Sequence, residues 1–293
     1  DSEAGPLEDA LGVIPEHFAH FNMENRFTLV RTAKKIRANW KTVWAAFLEA
    51  YHVAETHYDA VDFNGDSNTK VDIYDNGVTR NGRLITPSAV PSPSLNDVTR
   101  EEASRIAAQS FANALGPDAV KTLPDFDKVE SFGRQGLAAW RRETMRDMLG
   151  VDCSHLCDSE MIDSIQYDMF PNFGPWLGEG LPLMYQFLPL GDNPDESLFT
   201  VRLMAPCPPG PRPPVAPLTE LDFDENFESL PQWGRIAHIF DQDMSNLPQV
   251  QKGYYAAAAT TPNLTLGQYQ EKRIALMHEF IEQTIARHST NGE

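Results

Sequence analysis

The stretch best suited to chemistry is Asn39-Trp40-Lys41-Thr42-Val43-Trp44-Ala45-Ala46-Phe47-Leu48-Glu49-Ala50-Tyr51-His52-Val53-Ala54-Glu55-Thr56-His57. Trp40, Val43, Trp44, Phe47 and Leu48 recur at helical spacing and predict a helix with one apolar face. Glu49 and His52, three residues apart, share a face of such a helix. His57 follows His52 by five residues, which on a regular helix sends the two rings to different sides. To meet His52, His57 must leave the helix or lie just past its end. Two imidazoles offer nitrogen donors suited to Fe, Zn, Cu or Ni. With one carboxylate they make a facial triad that leaves positions open, the arrangement of non-haem Fe(II). The plain alternative is two unrelated side chains, and the His-Glu-x-x-His spacing of a zinc hydrolase is absent.

A carboxylate partner is available in His238-Ile239-Phe240-Asp241-Gln242-Asp243. Asp241 and Asp243 also suit a solvated helix start, where carboxylates meet the positive end of the dipole. Tyr51, Tyr167, Phe170, Asn172 and Phe240 are candidates for a substrate pocket, with core packing as the ordinary role of such aromatics. His238 reads as a strand or loop residue that could approach the site, and His278 as packed or solvated on the last helix. His17 and His20 read as surface or capping residues. Asp62-Phe63-Asn64-Gly65-Asp66-Ser67-Asn68 has its glycine misplaced for a calcium loop and no glutamate at the twelfth position, so it reads as a polar turn.

Several elements that must position these residues are punctuated in the sequence. Thr99 with Glu102 is a capping-box pattern opening a helix from Arg100 to Leu115, which Gly116 can close. A second helix is predicted from about Gln135 to Leu149 with Gly150 as its stop, and a third from near Leu266 to about Ala286. Strand signals lie at Arg26–Arg31, Thr69–Tyr74, Leu183–Leu188 and Leu198–Met204, with a hairpin loop at Gly191–Asp195 between the last two. Pro206–Pro217 holds seven prolines and must be extended. It is expected to be a long surface connection inside one domain, because candidate ligands lie on both sides of it. Strands, then helices, then strands and a closing helix predict an α+β fold, an antiparallel sheet with helices packed on one face.

The chain has 293 residues, enough for a sizeable core, and a formal net charge of −18. That acidity repels phosphate backbones and anionic lipid, so neither nucleic acid nor membrane is an expected partner. No apolar stretch approaches the ~20 residues of a membrane helix. The start, Asp1-Ser2-Glu3-Ala4-Gly5-Pro6, shows no signal-peptide pattern and no initiator Met, so the numbering is expected to begin inside a longer chain. Three cysteines, Cys153, Cys157 and Cys207, argue against a disulfide framework and suggest a cytoplasmic location.

Asn-Trp-Lys followed by Phe-Leu-Glu-Ala-Tyr-His-Val-x-x-x-His closely resembles the iron-binding segment of the Rieske non-haem iron oxygenases, the ring-hydroxylating dioxygenase α subunits and their relatives. That family's carboxylate, two residues, His, four residues, His is matched by Glu49, His52 and His57. Phe170-Pro171-Asn172-Phe173 and Phe187-Leu188-Pro189-Leu190-Gly191 match recurrent family segments, and His238–Asp243 with Gln251-Lys252-Gly253 resembles the region of the third ligand. In the family that aspartate usually lies eight residues before a glutamine, which selects Asp243, with Asp241 as runner-up. Glu49 occupies the position of the bridging carboxylate, the expected electron path from a Rieske cluster.

The resemblance implies a helix-grip, START-like form of the α+β fold, with residues 1–293 as a single catalytic domain. It implies mononuclear Fe(II), activation of O2 and oxygen insertion into an aromatic or other hydrophobic small molecule. Ferredoxin or reductase electron donors and a homotrimeric α3 or α3β3 assembly belong to the same expectation. A Rieske [2Fe-2S] cluster needs Cys-x-His and Cys-x-x-His. Cys153-Ser154-His155 supplies the first by letters, but Pro208, Pro209 and Gly210 follow Cys207, so the second is missing. The cluster is therefore expected only in an N-terminal domain or partner outside these residues, and the chain alone is expected to be inactive. The alternative is a START-like binding module that has lost turnover; retention of Glu49 tells against it. A zinc hydrolase is more distant, since Glu49, the one obvious carboxylate, already has a role.

Overall fold

A computed structural model describes residues 5–95, 97–261 and 263–290. The alternating, β-branched and aromatic segments build one sheet. Its strands are β1 (Arg26–Ile36), β2 (Lys70–Asp75), β3 (Arg80–Thr86), β4 (Ser164–Met169), β5 (Phe173–Leu177), β6 (Leu183–Pro189), β7 (Ser197–Pro206) and β8 (Thr219–Leu221). The spatial order is β2-β3-β4-β5-β6-β7-β1-β8. Neighbours are antiparallel, except that β8 runs parallel to β1. The four strand segments read from the sequence correspond to β1, β2, β6 and β7.

Because strand side chains alternate, register decides which of them share a face. Leu183 pairs with Leu203, Tyr185 with Val201 and Phe187 with Phe199, so six apolar side chains line one face of β6 and β7. The helix Trp40–Ala46 and the long helix Ile236–Ala258 pack on that face through Val43, Trp44, Phe240 and Leu247. A second core joins Met184, Ile165 and Tyr167 to the helices Arg100–Leu115 and Arg134–Leu149. Ala103, Ala107, Ala108 and Ala112 are fully buried on the first of these two helices. Their small side chains admit close approach of a neighbouring element.

The capping box is formed: Thr99 Oγ1 accepts the Glu102 N–H at 3.1 Å, and Glu102 accepts the Thr99 N–H at 3.0 Å. The proline-rich connection from β7 to β8 runs mostly exposed, so the sheet draws strands from both sides of it. Among the described residues no helix is long and apolar enough to cross a membrane.

Four expectations need correction. The Asn39–His57 segment is not one helix: it is Trp40–Ala46, a turn, and the short helix Val53–Thr56. The closing helix begins at Lys272, not near Leu266. His238 lies on the helix Ile236–Ala258, which carries Pro248 inside it, and not on a strand or loop. His17 is half-buried: it packs edge-on against Tyr74 and Tyr167 and its Nδ1 lies 2.9 Å from the Tyr167 hydroxyl.

Candidate metal centre

The turn that carries Glu49 and His52 is fixed from outside. Asn39 caps the first helix, its side chain accepting the Lys41 N–H at 3.0 Å. After Phe47 the chain leaves helical geometry, and the freed backbone groups of the turn need partners. Arg273 donates to the Leu48 carbonyl at 3.1 Å, and the buried Gln270 side chain accepts the Ala50 N–H at 2.6 Å. Glu49 is thus bracketed by two bonds from residues just before and within the closing helix. Arg273 is itself held by Asp168 of β4 at 2.7 Å, which ties the turn to the sheet.

His52 and His57 flank the short helix. His52 is its N-cap, and His57 its C-cap, bonded through its N–H to the Val53 carbonyl. Five helical residues would turn the rings about 140° apart. His57 instead leaves helical geometry at φ −114° and ψ 50°, and the ring centroids meet 5.2 Å apart at 76°. Asp243 reaches the same point from the helix Ile236–Ala258. Its Oδ1 lies 3.1 Å from His57 Nε2 and 3.8 Å from His52 Nε2. His57 and Asp243 are buried, while His52 is partly exposed. Among the described residues, these three form the one group of at least three His, Cys, Asp or Glu side chains arranged to hold a metal ion.

The other ring nitrogens are engaged. His52 Nδ1 lies 2.8 Å from Glu49 Oε1, and Glu49 Oε2 accepts the His52 N–H at 3.0 Å. His57 Nδ1 lies 2.8 Å from Gln242 Oε1. Both partners are acceptors, so each ring donates from Nδ1 and turns its Nε2 toward Asp243. Burial opposes charge on His52. The Glu49 hydrogen bond and charge, with Asp243 next, outweigh it and hold the His52 pKa above its ordinary value.

This donor set fits a divalent first-row ion. With bonds of about 2.1 Å at right angles, neighbouring donors stand about 3 Å apart. The His57–Asp243 distance matches this, His52 stands 3.8 Å from Asp243, and all three donor atoms lie within 4.8 Å of one another. Three donors from one side leave the opposite side open.

The donor set borders a cavity of about 780 Å³, within the range of small-molecule sites. His52, His57, Asp243 and Glu49 lie in its lining, with Phe47, Trp176, Tyr185 and Phe240 among the apolar walls. The Tyr185 pKa is raised well above the phenol range by burial, then by the Asp243 charge, so the phenol keeps its proton.

Of the five pocket candidates only Phe240 lines this cavity. Tyr51 is exposed and meets Tyr269 edge-on. Tyr167 is spent in the second core, Phe170 packs against Phe280, and the Asn172 carbonyl accepts the Phe187 N–H in the strand ladder. Asp241, the runner-up ligand, points elsewhere and accepts the N–H groups of Phe227 and Glu228 at 2.8 and 2.9 Å. Gln242, Gln270, Arg273 and Tyr185 were not singled out by the sequence. Neutral amides and core aromatics carry no spacing signal of their own.

The fold and the site define an α+β protein with a two-histidine, one-carboxylate donor set open to an apolar cavity. The chain belongs to the family described as ring hydroxylating alpha subunit (catalytic domain), whose profile matches residues 17–287. An inhibitor complex of the quaternary ammonium Rieske monooxygenase CntA is similar in fold, with TM-score 0.53 at 13% identity, covering 97% of this chain and 57% of that one. A second structure of a quaternary ammonium Rieske monooxygenase, described for carnitine oxidation by gut microbiota and inter-subunit electron transfer, gives TM-score 0.51 at 12% identity, covering 97% and 57%. The chain thus spans little more than half the length of these solved structures. Comparison with curated protein sequences gives no match.

Proposed function

We propose that the chain is the catalytic domain of a Rieske-type oxygenase, with His52, His57 and Asp243 holding one Fe(II) ion. The observation that carries this reading is the orientation of the two imidazoles. Glu49 and Gln242 occupy both Nδ1 positions, and both Nε2 atoms converge on the Asp243 carboxylate. Acceptors on the remote nitrogens of ligating histidines fix the tautomer and raise ligand basicity. Bound Fe(II) would supply the reductive activation of O2 for oxygen insertion into an aromatic or other hydrophobic small molecule.

The protein's own contribution is geometric. His52 and His57 are held at the ends of one short helix, and Asp243 is held on a second helix. The second helix is docked onto the first segment by Gln251, whose side-chain oxygen accepts the Asn39 N–H at 3.1 Å and the Thr42 hydroxyl at 2.8 Å. Phe47, Trp176, Tyr185 and Phe240 exclude water from the wall beside the donors and offer an apolar body a place to lie. Glu49 is the electron bridge. It grips His52 twice, and the Rieske cluster that feeds it belongs to a segment or partner outside these residues. The remaining partners are a ferredoxin or reductase donor and further copies of the chain in a trimer.

The deciding experiment is metal analysis of the chain reconstituted anaerobically with Fe(II), beside its His52→Ala variant. About one iron per chain, lost in the variant, is the expected result. Wild-type protein that takes up no iron would sink the assignment. In protein supplied with a Rieske donor, Glu49→Gln is expected to retain iron and slow single-turnover electron delivery; unchanged kinetics would remove the bridging role.

A further inference from the structure

Charge in the cavity wall is unevenly distributed. Glu49, Asp59 and Asp243 belong to the part of the lining around the candidate metal centre. A different part of the lining contains Arg141, from the helix Arg134–Leu149, with Glu179 from the connection between β5 and β6. Arg141 is only 7% exposed and is the one buried cation among the described lining residues. A buried guanidinium is costly unless an anion compensates it.

Among the described residues, no anion in the wall is free to do so. Glu179 is the nearby acid, but its carboxylate is taken by the buried Arg26. Among the described residues Arg141 hydrogen-bonds only to the Glu179 backbone carbonyl, through Nη2. Its Nε is buried without a hydrogen-bond partner, and so is Nη1 of Arg26. Cys153 also lies near, but burial pushes its thiol up to about 11, so it carries no charge at neutral pH. Two guanidinium groups therefore share one carboxylate, and a single positive charge is left over at the cavity wall. Phe111 lies under Arg141, its ring centroid 4.5 Å from the guanidinium carbon. That contact steadies the cation without neutralising it.

We propose that Arg141 forms an anion-binding subsite of the cavity, and that the small molecule taken there carries one carboxylate group on an apolar body. A planar guanidinium is suited to a carboxylate by charge and by geometry. One carboxylate matches the one uncompensated charge. The carboxylate lies at Arg141, beside Phe111, and the apolar body extends into the cavity. The inference rests on the reading of this cavity as the substrate site and narrows the substrate to acids. The chain's overall charge of −18 opposes anions, so a preference for one has to be local.

The test uses the whole chain without metal and the matched pair 4-phenylbutanoate and 4-phenylbutanamide, with affinities from isothermal calorimetry. The acid is expected to bind about tenfold more tightly than the amide, or better, as for a charge-assisted bond in a buried site. Arg141→Met is expected to remove that gap and leave the amide affinity unchanged. Equal binding of acid and amide by the wild type overturns the proposal. So does failure of both to bind at millimolar concentration, or an unchanged gap in the variant. Should Arg141→Met fail to fold, having lost its bond to the Glu179 carbonyl, the wild-type ratio decides alone. Because iron takes no part in the measurement, acid preference in a chain that binds no iron would sink the oxygenase reading and leave the subsite standing. Iron uptake without acid preference would do the reverse.

Discussion

At the scale of single residues, the site is a matter of which atom faces which. Asp241 and Asp243 are two residues apart on one helix, yet only Asp243 faces the histidines, while Asp241 holds the backbone at Phe227 and Glu228. Asp243→Ala is therefore expected to abolish iron uptake. Asp241→Ala is expected to retain iron and lower stability by about 1–3 kcal/mol, the cost of leaving backbone donors without their acceptor. Metal analysis together with denaturant unfolding of the two variants checks the ranking, and iron loss in the Asp241 variant would move the third ligand. Gln242 acts through His57: its side-chain oxygen accepts the Nδ1 proton, and its amide nitrogen lies 3.3 Å from Asp59. Gln242→Ala is expected to weaken Fe(II) affinity about 10–100-fold. The readout is a competition titration against a chelator, and unchanged affinity would show that the ring needs no such partner.

At the scale of elements, the site depends on where helices stop. The first helix ends at Ala46, and Gln270 and Arg273, just before and within the closing helix, supply the bonds that hold the following turn. The apolar spacing continues to Leu48, yet the helix stops at Ala46, because local periodicity carries no record of Gln270 and Arg273. The helix Ile236–Ala258 escaped sequence reading because Pro248 and Gly253 are helix breakers in its interior. Tertiary packing of Phe240 and Leu247 overrides them. Where the signals were local, the sequence was sufficient. Thr99 and Glu102 form their capping box and Gly116 ends that helix. Thr99→Ala is expected to cost about 1 kcal/mol of stability. A denaturation midpoint indistinguishable from wild type would mean the cap contributes nothing.

At the scale of the molecule, one aromatic layer connects the sheet to the site. Phe199 of β7 stacks on Phe47 at 5.5 Å and meets Tyr185 and Phe240 at 5.1 and 6.1 Å. Phe47 stands two residues before Glu49, and Phe240 three before Asp243, so both arms of the centre lean on a single fully buried ring. Phe199→Ala is expected to destabilise the fold by about 3–5 kcal/mol, as for other large buried aromatics. It is also expected to weaken iron binding, although Phe199 touches no candidate ligand. Urea unfolding and chelator competition on the same preparation measure both effects. A stability loss with unchanged iron affinity would show that the two arms are positioned independently of the layer.

The sequence by itself determined the α+β class, the strands β1, β2, β6 and β7, two helices with their stops, and a pair of histidines that the structure brings together. Those features are written in short-range pattern: alternation, capping residues, and the Glu-x-x-His-x-x-x-x-His order. Tertiary structure decided what short range cannot encode. It turned Asp243 toward the histidines and Asp241 away from them, on a helix whose extent the sequence did not announce. It also sent Tyr51, Tyr167, Phe170 and Asn172 away from the cavity, because aromatic and amide side chains serve core, surface and pocket equally well until the register of the sheet assigns them a face. The uncompensated charge at Arg141 is likewise a tertiary fact, created when Arg26, more than a hundred residues earlier, takes the one carboxylate within reach.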